Sequence, residues 1–562
     1  MESVIRQTIK SVLKTKKLPE TSFVVEHPAD TVHGDYASNV ALVLAKQVGR
    51  SPRELATELA EALTDTIEYV AEVSVAGPGF LNFRLHRDFF TREVVRTIEQ
   101  GDAWGTNQQQ TGTKVLIEKS APNLYKPFHV GHLLNITIAE SVSRLYRMNG
   151  ATVTDVSYPS DISLGVAKAV WALLEHQMDA TDIGELGRAY VVGTKAYEES
   201  EDVQRAVKEI NTNLNTSKTG PAWDIYMVGR TTSLEYFYDI TKRLGSTFDD
   251  TFYESEAGVR GKQIVEEKVG EVFEESDGAI IFPGEEYGLH TRVFISGAGI
   301  PVYEAKDIGL IAMKFERFDP DTSILYTDVE QKQYFEVIKK AAELTFGEWG
   351  EKTHYLQHGR LRFADKKVSS RLGNVPLAED LIETVKDAVV ARMKENISDT
   401  DARDDHAERA ENVALAALKY TLLKVSPGQN ITFDLTQALS FEGDSGPYLQ
   451  YTHARIISAL EKAESVGVVP SITLTPDVPY AVERLLYQFP EVVEAAYAER
   501  APHQIATYLT QLAGAFNTFY ATEKIADPDD QYAPYKAAVS DAVRITLKNG
   551  LWVLGIDTPR RL

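Results

Sequence analysis

The stretch KVLIEKSAPNLYKPFHVGHLLNITIAESVSRLYRMNGATVTDVSY, residues 114–158, decides the fold class. KVLIE (114–118) is a short apolar run of strand type. After a loop, Leu134, Ile138, Val142, Leu145 and Tyr146 recur at helical spacing, and Asn149-Gly150 closes that helix as a C-cap pair. ATVTDVSY then resumes as a strand. Strand, helix and strand in this order make a βαβ unit, which predicts a parallel sheet and a doubly wound, nucleotide-type fold. The rhythm returns in SILYTDV (323–329), followed by a helical pattern from about residue 331 to 345.

Working outward, residues 1–105 mix helical periodicity (Ile5, Ile9, Val12, Leu13; then Leu55, Leu59, Leu63) with the strand-like VAEVSVAGPGFLNFRL. There Val73, Val75, Leu81, Phe83 and Leu85 alternate on either side of the turn Gly77-Pro78-Gly79, so a small α+β domain is expected. GTNQQQTGT (105–113) has linker composition. The α/β domain then spans 113–400, with an acidic, irregular insertion at about 175–290. From about 401 the strand signal vanishes. Long amphipathic segments such as NVALAALKYTLLKV, YLQYTHARIISALEKA and HQIATYLTQLAGAFNTFY predict an all-helical bundle over 401–562.

Composition bounds the function. At about 150 residues per domain, 562 residues suggest three or four domains. Hydrophobic residues make up 43% and charged residues 25%, which excludes wholesale disorder. With no cysteine there is no disulfide, no thiolate nucleophile and no Cys-ligated zinc or iron–sulfur site. The start, MESVIRQTIKSVLKTKK, lacks the apolar core of a secretory signal, and no apolar run approaches the roughly 20 residues that span a bilayer. A soluble cytoplasmic protein with no membrane partner is expected. A net charge of −23 argues against general nucleic-acid coating, yet local basic patches leave such a partner open.

Two motifs carry chemistry. KPFHVGHLLN (126–135) falls between the first strand and its helix, where a doubly wound fold binds its ligand. Gly131 lets a flat ligand approach the backbone, and the helix start offers N–H groups and a positive dipole end to phosphate. His129 and His132 can donate hydrogen bonds to phosphate charge. Read alone, two histidines three apart are equally well surface or capping residues, and no third ligand completes a zinc site. KKVSSRLGN (366–374), late in the same domain, joins lysines, hydroxyls and an arginine in a loop suited to a triphosphate. By itself it is only a basic loop. The two motifs in this order within one α/β domain are far more specific.

Together they resemble the HIGH and KMSKS signatures of class I aminoacyl-tRNA synthetases, with His129, Val130, Gly131 and His132 standing for the first and residues 367–371 (KVSSR) for the second. IEKSAPNLYKPFHVGH, VYEAKD, HGDYASNVAL, VAGPGFLNFRL and YLQYTHAR resemble the arginyl-tRNA synthetase family. The resemblance implies a multidomain α/β protein with a Rossmann-like doubly wound catalytic domain, an N-terminal α+β domain that meets the tRNA elbow and a C-terminal all-α anticodon-binding bundle. It implies ATP-dependent activation of L-arginine and transfer to the 3′ end of tRNA(Arg). ATP would come with Mg2+ as a substrate complex, with no structural metal, and a monomer is expected.

The resemblance also assigns residues. His129, Gly131 and His132 would hold ATP, and Lys367, Ser369 and Ser370 would form the loop over its phosphates. The arginine pocket would comprise Glu118, Asn123, Tyr303, Asp307 and Gln331, and a bidentate carboxylate is the geometric complement of a guanidinium. Glu118 could equally be a strand-end charge and Asp307 a helix cap. Tyr448 and Tyr451, three apart, would stack on anticodon bases unless they are core residues, and Phe80 and Asn82 would meet the tRNA elbow. The chain departs from the family where Ser370 replaces the second lysine of KMSKS. Lys126 stands where arginyl enzymes lacking that lysine often carry one, and would act as a catalytic residue beside His129, His132 and Lys367. YPSDISLGV and ISGAGIPVY also depart from the usual wording. The alternatives are a class I enzyme for another amino acid, a tRNA-independent nucleotidyltransferase and a non-catalytic tRNA-binding paralogue.

Overall fold

The computed structural model describes residues 1–364, 376–396 and 406–561, which cluster into two compact units. The first comprises 1–105, 452–492 and 511–549. A four-stranded antiparallel sheet, ordered Val25–Glu26, Tyr36–Ser38, Phe80–Leu85 and Val70–Ala76, forms its centre. Leu81, Phe83 and Leu85 are buried on one side of the Phe80–Leu85 strand, as period-two alternation requires. Helix Glu2–Thr15 buries Ile5, Ile9 and Leu13 against this core, and helix Pro52–Leu63 adds Leu55, Leu59 and Leu63. The later segments of the unit are tied in by a buried polar junction. Arg87 donates to Glu483 at 2.7 Å and the Tyr535 hydroxyl donates to the same carboxylate at 2.6 Å.

The second unit comprises 106–451, 493–510 and 550–562. Its five-stranded sheet is ordered Thr353–His358, Thr322–Asp328, Lys114–Ser120, Thr152–Ser157 and Asp250–Thr251, and every pairing is parallel. Numbered along the chain, that order is 5-4-1-2-3. This is the doubly wound arrangement expected from the βαβ reading, with a topological switch point between the first and fourth strands. Helix Val130–Met148 packs on one face through Ala139, Val142 and Tyr146, against Val115, Ile117, Ile324 and Tyr326. Leu116 and Val156 face the other way, toward Leu310 of helix Tyr303–Phe318.

Two expectations are corrected. The stretch read as an irregular insertion is ordered, with helices Ile183–Glu199, Glu201–Asn215 and Pro221–Arg243. It also contains the two-residue edge strand of the main sheet at Asp250–Thr251, helix Glu254–Glu267 and the first two strands of a separate antiparallel sheet, Glu274–Ser276 and Ala279–Phe282, which Arg292–Ile295 completes. Its acidic surface masked the apolar faces that build the core around Val207, Leu214 and Tyr226. Nor does strand structure end at 401. Ile431–Phe433 pairs in parallel with Leu361–Phe363, through three residue pairs too few to leave a periodic signal.

Candidate active site

The crevice of a doubly wound sheet opens at the carboxyl ends of its strands beside the switch point. The first strand, Lys114–Ser120, therefore sets the site. Because successive side chains point to opposite faces, its two adjacent charges are separated. Lys119 reaches Glu140 of helix Val130–Met148 at 2.6 Å and Asp155 at 3.1 Å. Glu118 meets Lys314 of helix Tyr303–Phe318 at 2.5 Å. All but Glu140 are among the buried polar residues. Burial opposes the Glu140 charge, but Lys119 and Arg144 hold its carboxyl down at about 2.

His129 is the N-cap of helix Val130–Met148, and its ring Nδ1 accepts from the Gly131 N–H at 3.1 Å. A ring that accepts at Nδ1 carries its proton on Nε2 when neutral, leaving that N–H to donate. His132 stacks on it, with ring centroids 3.7 Å apart. Burial lowers the pKa of both rings, with the Lys126 charge adding to the effect on each, and His132 falls well below the ordinary histidine value. Both are thus neutral donors at pH 7. The buried Nδ1 of His132 has no hydrogen-bond partner among the described residues, so the site holds a polar atom that a ligand can satisfy. The free helix N–H groups expected from the sequence are in part taken. The Val130 N–H donates to the Pro376 carbonyl at 3.1 Å, and Gly131 to His129. What remains for phosphate at this end is the helix dipole and the two rings.

The same contact joins the two motifs. Ala378 N–H donates to the Phe128 carbonyl at 2.8 Å, and His129 bridges Leu377 in antiparallel fashion. The chain just after the second motif is therefore hydrogen-bonded to the first. Tyr125, before Lys126, has φ +63°, a left-handed conformation that costs a bulky residue about 1–3 kcal/mol. Helix Pro221–Arg243 holds it there. Ser233 Oγ accepts the Tyr125 N–H at 3.0 Å, the Tyr226 carbonyl accepts its hydroxyl at 2.6 Å, and a Cβ on Gly229 would stand 2.7 Å from its ring.

Asp307 lies on helix Tyr303–Phe318, half-buried, and accepts from the Tyr334 hydroxyl at 2.6 Å. Among the described residues it has no ion-pair partner within 4 Å, whereas Glu118 has Lys314 and the buried Glu254 has Lys306 at 2.7 Å. Desolvation pushes the Asp307 carboxyl up to about 7. Glu118 and Glu254 add to the rise, while Tyr334 and Lys314 oppose it. Among the described residues, Asp307 is thus the carboxylate of this group without a cation. Tyr303 and Gln331 are exposed, as is Asn123 in the loop after the first strand, where it bridges Ser160.

Models of known families account for most of the chain. Residues 1–85 match the arginyl tRNA synthetase N terminal domain, 94–435 the catalytic domain of tRNA synthetases class I (R), and 449–562 the DALR anticodon binding domain. The chain belongs to the arginyl-tRNA synthetase family. It is 30% identical over 546 residues to the arginine–tRNA ligase of Pediococcus pentosaceus, covering 95% of each chain, and 29% identical over 554 residues to that of Clostridium perfringens, covering 96% of each. Among solved structures, the arginyl-tRNA synthetase of Thermus thermophilus superposes with a TM-score of 0.81 at 25% identity, with both chains fully covered. That of Plasmodium falciparum shares the fold with the same TM-score at 17% identity, covering 100% of this chain and 98% of its own.

In this arginyl-tRNA synthetase chain, the remaining residues expected from the sequence fall as follows. Lys367, Ser369 and Ser370 lie outside the described residues. Lys126 is half-buried, with its Nζ 3.9 Å from the centroid of the Tyr190 ring. Tyr451 is 38% exposed and meets Phe441 edge-on at 6.1 Å, and Tyr448 is half-buried. Phe80 is exposed at the start of its strand, and Asn82 is buried within the sheet. Sequence reasoning missed Lys314, Tyr334, Lys306 and Glu254. Lys314 had a signal, since it follows Asp307 by seven residues, two helical turns on one face. The other three had none.

Proposed function

We propose that this chain is an arginine–tRNA ligase whose second-unit crevice binds ATP and L-arginine and whose helical segments bind tRNA. The observation that carries the assignment of roles is Asp307, a desolvated carboxylate without a cation among the described residues, beside two carboxylates that already have one. A guanidinium is the planar, always charged group that such a carboxylate selects, in bidentate geometry. Asp307 would anchor the arginine side chain, with Tyr303 covering it. Glu118, its charge balanced by Lys314, would contribute acceptor lone pairs, and Asn123 and Gln331 would hold the polar backbone end of the amino acid.

Activation is then attack by an arginine carboxylate oxygen on the α-phosphorus of ATP. The new P–O bond forms as the bond to the β-phosphate oxygen breaks, and pyrophosphate leaves with that electron pair. The Nε2–H of His129 and the neutral imidazole of His132 would donate to the phosphate oxygens as charge develops, and Lys126 would supply positive charge in place of the lysine that Ser370 replaces. Lys367, Ser369 and Ser370 would close over the phosphates. Mg2+ would arrive with ATP and neutralise phosphate charge. A terminal ribose hydroxyl of tRNA then attacks the arginyl carbonyl and AMP leaves. Phe80 and Asn82 would meet the elbow, and Tyr448 and Tyr451 the anticodon loop. The N-terminal, catalytic and helical regions (1–105, 113–400 and 401–562) divide these tasks in one cytoplasmic monomer. The test is aminoacylation of tRNA(Arg) by the purified chain with each of the twenty amino acids. Charging with arginine alone is expected, and charging with any other at a comparable rate would overturn the reading.

A further inference from the structure

The stretch between the second and third strands of the main sheet does more than fill surface. It grips the short loop that carries Lys126 at two adjacent positions, Tyr125 and the lysine itself. Before the lysine, Tyr125 is held in its left-handed conformation by Ser233 and Tyr226 of helix Pro221–Arg243. The lysine itself extends over Tyr190 of helix Ile183–Glu199, with the ammonium 3.9 Å from the ring centroid. Room for that ring is made by Gly165, where a Cβ would stand 2.5 Å from the Tyr190 hydroxyl and 2.9 Å from its ring. Gly165 belongs to YPSDISLGV, one of the segments whose wording departs from the family.

We propose that Tyr190 is a positioning residue for the activation step, an aromatic platform that fixes the Lys126 ammonium toward the triphosphate. This rests on the reading that Lys126 serves the phosphates. Among the described residues Lys126 makes no ion pair with a carboxylate, and that choice of partner is chemically apt. A carboxylate would hold the ammonium but cancel the charge that pyrophosphate departure needs. The face of a tyrosine ring attracts a cation through its quadrupole while leaving the charge whole and the N–H groups on the far side free to donate. A lysine stem has four rotatable bonds, so without a platform the charge would sample many directions and lose its preorganisation. The glycine in the departing segment then has a reason: it admits the ring that steadies the compensating lysine.

Single-turnover formation of arginyl-adenylate, with tRNA(Arg) present, tests this on the full chain and on Tyr190→Phe, Tyr190→Leu, Lys126→Ala and the Tyr190→Leu/Lys126→Ala double variant. Leucine keeps the packing volume but has no π face. Tyr190→Leu should slow activation about 3- to 30-fold with the arginine Kd unchanged, and phenylalanine should restore the rate that leucine loses. The double variant should be no slower than Lys126→Ala alone, because a platform without its cation has nothing left to do. An equal loss from Tyr190→Leu in both backgrounds would overturn the inference and make the ring merely structural. So would wild-type activation by Tyr190→Leu in a chain where Lys126→Ala is slow, and that outcome leaves the Lys126 reading standing. Wild-type activation by Lys126→Ala would remove the reading itself, and the inference with it.

Discussion

The Glu118 carboxylate and the Lys314 ammonium meet at 2.5 Å, both buried, across the face of the parallel sheet that carries the candidate arginine pocket. The pair balances one of the pocket's acids and leaves Asp307 as the acid that needs a cation. Lys314 also opposes the rise in the Asp307 carboxyl, which stands at about 7.

A pH dependence follows, and its sign is fixed. Above about pH 7 the free site carries the Asp307 carboxylate; below it the group is protonated and neutral. Arginine binding should therefore weaken as pH falls through 7, approaching tenfold per unit, with uptake of arginine releasing a proton on the acid side. Lys314→Gln removes a charge that holds Asp307 down, so the midpoint should move to higher pH. Calorimetric titration of arginine at several pH values, in buffers of different ionisation enthalpy, checks both. An arginine affinity flat from pH 6 to 8 would remove Asp307 from guanidinium recognition.

Stability of the free chain should respond in the opposite direction. A carboxyl whose folded pKa is raised favours the fold when protonated, and that contribution is lost as pH rises through the folded value. Asp307→Asn keeps the acceptor for Tyr334 without the charge. Because the contribution is complete only below the ordinary carboxyl value of 3.8 and is lost progressively up to about 7, the variant should melt at a higher temperature than the parent at pH 8, with a difference that shrinks at pH 5 and vanishes near pH 4, as read by scanning calorimetry.

His132→Ala should reduce the rate of adenylate formation by about 10²–10³-fold, the usual loss for one preorganised donor, with the arginine Kd little altered. The ring is buried, stacked on His129 and leaves Nδ1 without a partner among the described residues. A variant that keeps its near-ultraviolet dichroism and its activation rate would return His132 to a packing role.

Much of this was legible in the sequence. The βαβ period of residues 114–158 was enough for a doubly wound sheet, because a short apolar strand, a long helical period closed by Asn149-Gly150 and a second strand follow one another directly. His129 and His132 were found because KPFHVGHLLN falls between the first strand and its helix and is followed in the same domain by KKVSSRLGN; alone the pair reads equally well as surface or capping residues. What stayed hidden depends on distance in the chain. Lys314 pairs with Glu118 across 196 residues, and Tyr334 finds Asp307 across 27. Nothing local marks Tyr334, and the helical spacing of Lys314 from Asp307 places it on a face without naming Glu118 as its partner. Glu254 lies in the stretch read as an irregular insertion, where a surplus of acids hid a buried one. Tyr190 is one of 26 tyrosines, and only the glycine opposite it, folded into place, singles it out.

Tyr451→Ala should raise the tRNA KM by the worth of one stacked base, about 1–3 kcal/mol or roughly 5- to 150-fold, while leaving the KM for arginine unchanged. Its ring is 38% exposed beside Phe441, so truncation opens no cavity in the core. Steady-state aminoacylation with varied tRNA(Arg) reads this directly, and an unchanged tRNA KM would take Tyr451 out of the anticodon contact.

The central claim is that this chain activates arginine by its guanidinium charge, through Asp307. Pyrophosphate exchange in the presence of tRNA(Arg), with L-arginine, L-lysine and L-citrulline each supplied to the wild-type chain and to Asp307→Asn, tests it most directly. Citrulline keeps the shape of arginine and loses its charge, which would leave the carboxylate buried and unpaired. The account predicts exchange with arginine alone in the wild type, and loss of about 10²-fold or more in Asp307→Asn. Exchange with citrulline at a rate close to that with arginine, or full arginine exchange in a folded Asp307→Asn, would contradict it.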